Sequence, residues 1–154
     1  MPVADALAAV LAGAEPLPEE MVGLDQAYHR VLARDVAAKR TQPPQAMSAM
    51  DGYALRAADA ARVHARVKVV GEVAAGRPFG RVLQAGEAAR IFTGGVIPDG
   101  ADAVVIQEDT VADGDEVTIT EPAVAGRHVR PAGVDFHEGA VLLHAGRRLS
   151  DRDL

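Results

Sequence analysis

No cysteine occurs in the 154 residues, which excludes disulfide bonds, thiolate nucleophiles and thiolate-bound zinc. Aromatic residues are nearly as scarce, with three Phe, two Tyr and no Trp, so Ala, Val and Leu must fill the interior. The chain is 49% hydrophobic and 25% charged, a composition that folds rather than stays disordered. It also lacks a basic cluster. Sixteen Lys and Arg stand against 22 Asp and Glu, for a net charge of -6, and the scattered arginines argue against a nucleic-acid partner. The opening MPVADALAAVLAGAEPLPEE has no basic n-region and carries Asp5 inside its apolar stretch, so it does not read as a secretion signal. No apolar run approaches the roughly 18 residues that span a bilayer. No membrane partner is expected, and the expected location is cytoplasmic.

Familiar catalytic fingerprints are missing too. There is no GxxxxGK[ST] loop, no GxGxxG opening a helix and no GxSxG elbow. His29, His64, His128, His137 and His144 show no metal-ligand spacing.

What is present falls into two kinds of sequence. Val3, Ala6, Leu7, Val10, Leu11 and Ala14 recur at helical spacing, with Pro16 and Pro18 ending the helix. Leu24, Ala27, Tyr28, Val31 and Leu32 predict a second helix, and TQPPQ then breaks the chain. Beyond it the periodicity changes. HARVKVVGEV, AARIFTG, ADAVVIQED and DEVTIT read as short strands, with ADGDE as a hairpin turn between the last two. No helical pattern separates them, which predicts a compact antiparallel barrel or sandwich. At the tail, Ser150 and Asp153 have the spacing of a helix cap, yet Leu154 falls within the first turn. A lone turn does not repay its nucleation, so the natural sequence is expected to continue.

Candidate chemistry lies in loops. Asp51, Asp99, Asp102, Glu108, Asp109 and Asp135 are loop acids, and a single such acid mostly caps a turn. Held beside a partner, an acid can instead bind Mg²⁺, with waters and substrate phosphates completing the shell. In FTGGVIPDGAD, Thr93 offers a hydroxyl, and amides around Gly94 and Gly95 could face an oxyanion; spacing alone favours a wide turn. Asp51 and Thr93 each precede a glycine and Asp135 lies two residues after Gly133, at strand edges where a shared cleft could form.

Four stretches in order, DQAYHRVLARDV, SAMDGYALRAAD, RIFTGGVIPDGADAVVIQED and VRPAGVDFHEGAVLLHAGRRLSDRDL, resemble the N-terminal region of the molybdopterin molybdenumtransferases, the family that includes the E domain of gephyrin. The pairing of SxMDGYA with a downstream TGxx[IVL]PxGADAV[IV] is the specific part of the match. The resemblance implies an α+β architecture: an elongated helical dimerisation part from residues 1–43 and 137–154, and an inserted, mainly β, barrel- or sandwich-like domain over 44–136. The pterin-binding and final β-barrel domains of full-length relatives would lie beyond this chain. The implied activity is insertion of molybdate into adenylylated molybdopterin with release of AMP, assisted by Mg²⁺, in a homodimer that could meet the adenylyltransferase of the same pathway. Alone, these residues would be inactive.

Carried over by that resemblance, Asp51, Thr93 and Asp135 are the candidate catalytic residues, Asp51 and Asp135 the candidate metal ligands, and Ser48, Gly94 and Gly95 the candidate substrate-binding residues. The sequence departs from the family where Val134 precedes Asp135 in place of a frequent Glu, where Pro131 and Ala132 replace arginines found in some relatives, and where His29 replaces a frequent glycine. A non-catalytic self-associating scaffold and a small-ligand-binding β module are the alternatives.

Overall fold

The computed structural model describes residues 1–15 and 17–154, and divides the chain into two compact units: residues 1–36 with 141–154, and residues 37–140.

The second unit is built on a six-stranded sheet. Over the described residues of both units, the strands in chain order are β1 (Val36–Ala37), β2 (Met47–Ser48), β3 (Gly52–Leu55), β4 (Arg66–Val73), β5 (Glu87–Ile91), β6 (Ala103–Ile106), β7 (Thr110–Asp113), β8 (Glu116–Ile119), β9 (Val129–Arg130) and β10 (Val141–Leu143). The large sheet has the order β6-β3-β5-β4-β8-β7, while β2 pairs with β9 and β1 with β10. Four of the five pairings in the large sheet are antiparallel, and β4 with β5 is parallel. That pair departs from the antiparallel expectation. The long Ala74–Gly86 connection returns the chain to the start of β5, the kind of crossover a parallel pair requires.

Period-two alternation gives this sheet two buried faces. Tyr53, Leu55, Val67, Ala88, Val105, Val117 and Ile119 pack in one cluster, and Ala54, Val73, Leu83, Ala89, Ile91 and Val104 in another. Small residues at Ala54, Ala88 and Ala89, all fully buried, let the layers approach without large aromatics. The hairpin turn falls inside ADGDE, at Gly114–Asp115 between β7 and β8, with Gly114 at a φ of 60°. Strands β3 and β7 were not among the four expected from sequence. GYAL is short and has no β-branched residue, so its central place in the sheet comes from its neighbours rather than from propensity.

The first unit differs more from its sequence pattern. Helix α1 (Val3–Leu11) is present and ends before Gly13, at a φ of 95°; Pro16 lies outside the described residues. The second helix is absent. Only Leu24–Gln26 forms a 3-10 turn, and His29 then takes a φ of 63°, which breaks the helical path. The segment runs extended against the tail instead: the His29 amide donates to the Leu149 carbonyl, Leu32 to Arg147, and Gly146 back to Leu32. Backbone pairing between distant segments of the same chain has overridden a helical apolar stripe. The helical part expected from both chain ends is thus one helix with short turns, and the unit is largely extended. The departure at His29 falls on a left-handed backbone position that glycine favours, so it bears on backbone conformation rather than on helix packing. Among the described residues no helix is long and apolar enough to cross a membrane.

The tail turn, Asp151–Asp153, is held through one carboxylate. Asp153 accepts from Arg147 at 2.7 Å and from the Ser150 amide and hydroxyl at 2.8 Å each. Arg147 first, then the two Ser150 donors, lower its pKa from 3.8 to about 2. A depressed carboxyl contributes stability above its unfolded pKa and loses it as pH falls through the folded one. Acid unfolding followed between pH 4 and pH 2 should therefore carry an Asp153-dependent component, present in the parent chain and absent from Asp153→Asn.

Candidate functional site

The Ser48–Asp51 and Thr93–Gly95 segments, distant in sequence, are stitched together by backbone. The Ser48 amide donates to the Gly95 carbonyl at 2.8 Å, and the Gly94 amide donates to the Ser48 carbonyl at 2.9 Å. The turn after β5 closes on itself through the Gly95 amide and the Phe92 carbonyl, also 2.8 Å apart. Glycine suits both turn positions: Gly94 has a φ of 81°, and a Cβ at Gly95 would lie 2.9 Å from Ile91 Cγ1 and from the Phe92 carbonyl oxygen. Both glycine amides are therefore engaged within the protein. Ser48 is fully buried, and its hydroxyl donates to the Met50 carbonyl at 2.6 Å.

This frame sets Asp51 against Thr93. Asp51 Oδ1 accepts from the Thr93 amide at 2.7 Å and from the Thr93 hydroxyl at 2.8 Å. Among the described residues no protein donor reaches Oδ2, so half of a partly exposed carboxylate is left open. The Thr93 amide first and its hydroxyl second hold the carboxyl below its ordinary range; desolvation opposes them, and the Arg90 charge adds a smaller downward pull. Asp51 is thus an oriented carboxylate held toward its ionised form by Thr93. Its carboxylate hydrogen bonds reach across to the turn after β5 rather than to its own turn.

Asp135 is placed differently. Both of its oxygens accept from Arg130, at 2.9 and 3.1 Å, and its amide donates to the Gln42 carbonyl. Arg130 lies opposite Met47 in the β2–β9 pair, which carries Asp135 toward the Ser48 segment through an arginine rather than by direct contact. Asp102 does cap a turn, accepting from the Ala57 amide at 2.6 Å. Among the described residues no group of three or more His, Cys, Asp or Glu is arranged to hold a metal ion.

Two residues near Asp51 were not singled out from sequence. The Gln107 amide donates to the Asp51 carbonyl at 3.1 Å, and Arg90 contacts the Gly52 carbonyl and the Gln107 side chain. Their only sequence signal was proximity to Thr93 and Glu108, since cross-strand register is invisible in a linear pattern.

A family model for the MoeA N-terminal region (domain I and II) matches residues 1–154. The chain belongs to the MoeA family. Among MoeA relatives, the molybdopterin molybdenumtransferase of Synechococcus elongatus is 39% identical over 140 residues, covering 88% of this chain and 35% of the relative. Molybdopterin molybdenumtransferase 2 of Mycobacterium tuberculosis is 41% identical over 130 residues, covering 82% of this chain and 32% of the relative. The crystal structure of the molybdopterin biosynthesis MoeA protein from Pyrococcus horikoshii OT3 superposes with a TM-score of 0.90 at 33% identity, covering 99% of this chain and 41% of that one. The chain spans about a third of the length of these curated MoeA relatives.

The Asp51–Thr93 geometry predicts a titration shift. Thr93→Val deletes the hydroxyl donor and keeps the amide, so the Asp51 carboxyl should titrate closer to its ordinary value than in the parent, though still below it. Carboxyl carbon chemical shifts followed against pH measure this directly; an unchanged Asp51 curve would show that the hydroxyl does not hold the carboxylate.

Proposed function

We propose that this chain forms part of an enzyme that inserts molybdate into adenylylated molybdopterin and releases AMP, with Asp51 and Thr93 as its contribution to the reacting site. The observation that carries the reading is the open Oδ2 of an Asp51 carboxylate whose Oδ1 is fixed by Thr93. Family membership supports it, because the MoeA relatives are named as transferases acting on molybdopterin.

Mg²⁺ fits one of the two candidate ligands as they stand. Asp51 has a free, ionised oxygen, and magnesium commonly takes one or two carboxylates, with waters and substrate phosphates completing its octahedron. Asp135 spends both oxygens on Arg130 and would have to exchange that ion pair to ligate. Bound at Asp51, the ion would supply neutralisation of negative charge on a pyrophosphate. Asp135 contributes at one remove, by orienting Arg130 beside the β2 segment. Ser48, Gly94 and Gly95 contribute by closing the turn that presents Thr93, since their polar groups are already bonded to one another and to Met50 and Phe92.

Thr93 has a matching part. Its hydroxyl proton goes to Asp51, which leaves the oxygen lone pairs as acceptors rather than the proton as a donor. An anionic substrate would therefore meet Thr93 through the ion held at Asp51, or through a rotated hydroxyl.

Self-association belongs to the same proposal. Val3, Leu7, Val10 and Leu11 of α1 are all exposed, as are Leu24, Tyr28 and Val31. Apolar side chains gathered on one unit suit a two-fold interface with a second copy. Sedimentation over a dilution series should reveal a dimer, and a monomer at every concentration would remove these residues from any interface.

In a protein carrying this region together with the rest of a MoeA chain, Asp51→Ala should lower molybdate-dependent AMP release by about two orders of magnitude or more, the scale of losing one stabiliser of transferred charge. Thr93→Ala should fall in the same direction by less, because the backbone donor at residue 93 survives. Full turnover in both variants, with unfolding curves like the parent's, would end the assignment.

A further inference from the structure

Asp51 directly precedes strand β3, and what fixes the start of that strand lies on the neighbouring strands. Gly52 pairs with Ile91 on one side and Ile106 on the other. A Cβ at residue 52 would collide with the Val105 carbonyl oxygen and crowd Ile106 Cα at 2.9 Å, so β6 presses directly on this backbone. One register position further, Tyr53 stands opposite Arg90. Directly opposed residues share a face, which sends the Arg90 side chain back along β3 toward Asp51.

The Arg90 guanidinium lies over two rings, 5.2 Å from the Tyr53 centroid and 4.9 Å from the Phe92 centroid. So placed, it has two arms. Nη1 donates to the Gly52 carbonyl at 2.9 Å, and Nη2 donates to Gln107 Oε1 at 2.7 Å. Gln107 in turn donates its amide to the Asp51 carbonyl at 3.1 Å. The two carbonyls at residues 51 and 52 are therefore pinned, one by Arg90 and one by the residue that Arg90 grips. Phe92, stacked on the same guanidinium, directly precedes Thr93.

We propose that Arg90 is the positioning residue of the Asp51–Thr93 pair: its planar fork locks the Gly52 carbonyl and Gln107 while its stacking on Phe92 sets Thr93, so both partners are aligned by one side chain. The catalytic meaning of this alignment rests on the function proposed above; the alignment itself does not. Lysine cannot replace the fork, because a single ammonium lacks the fixed, diverging planar donors and the flat face that stacks on aromatic rings.

Amide hydrogen exchange in the intact protein tests this, with turnover measured in parallel. In Arg90→Met, and in Arg90→Lys despite its retained charge, the Thr93 and Gln107 amides should exchange about tenfold faster, the scale of one lost hydrogen bond, while the Ala54 and Ala89 amides of the core keep their protection. Turnover should fall through kcat with little change in KM. Gln107→Ala removes one arm only and should give a smaller rise at Thr93; it decides the matter if the Arg90 variants do not fold. Parent-like exchange at Thr93 and Gln107 in folded variants would overturn the proposal, and parent-like behaviour of Arg90→Lys would overturn the role of the fork. Faster exchange at Thr93, combined with full turnover in Asp51→Ala, would leave Arg90 as the positioning residue and remove the catalytic assignment instead.

Discussion

Strand β3 sits between β5 and β6 with no side chain at Gly52, because the Val105 carbonyl occupies the space a Cβ would need. That close approach fixes the register on both sides, and the register places everything around Asp51. It puts Tyr53 opposite Arg90, Gly52 opposite Ile91 and Ile106, and the end of β5 beside the start of β3. Shifted by one residue, the same strand would turn Tyr53 and Leu55 away from their cluster and take Arg90 off its partners. A packing constraint in the core thus governs the polar geometry at the rim.

At that rim, hydrogen bonds are used mostly to build a frame rather than to wait for a ligand. The Gly94 and Gly95 amides, the Ser48 hydroxyl and the Thr93 donors are all engaged inside the protein. Among the described residues, Asp51 Oδ2 has no protein donor. An open oxygen on an otherwise fixed carboxylate is a sound basis for binding a cation, since little conformational freedom remains to be lost. Asp135 shows the contrasting arrangement, a carboxylate whose charge is already matched by Arg130.

The two units answer differently to local sequence. In residues 37–140, β-branched runs such as RVKVV and AVVI became strands, and the glycine of ADGDE became the hairpin turn. Residues 1–36 with 141–154 follow local pattern only at α1. The stripe from Leu24 to Leu32 has helical spacing, yet its last part, residues 29–32, pairs with residues 146–149, far away in sequence. A periodic stripe describes which side chains could share a helix face, and it is silent about a competing backbone partner.

By itself the sequence determined to which family the chain is similar, and its paired MDGYA and TGG motifs singled out Asp51 and Thr93 as candidates. Tertiary structure alone decided that those two touch, that Asp135 is spent on Arg130, and that Arg90 and Gln107 belong beside them. The physical reason is register. Hydrogen bonds between residues 51 and 93, or 90 and 107, arise only when β3, β5 and β6 align across the sheet, and that alignment is set by backbone contact at Gly52 rather than by any local pattern.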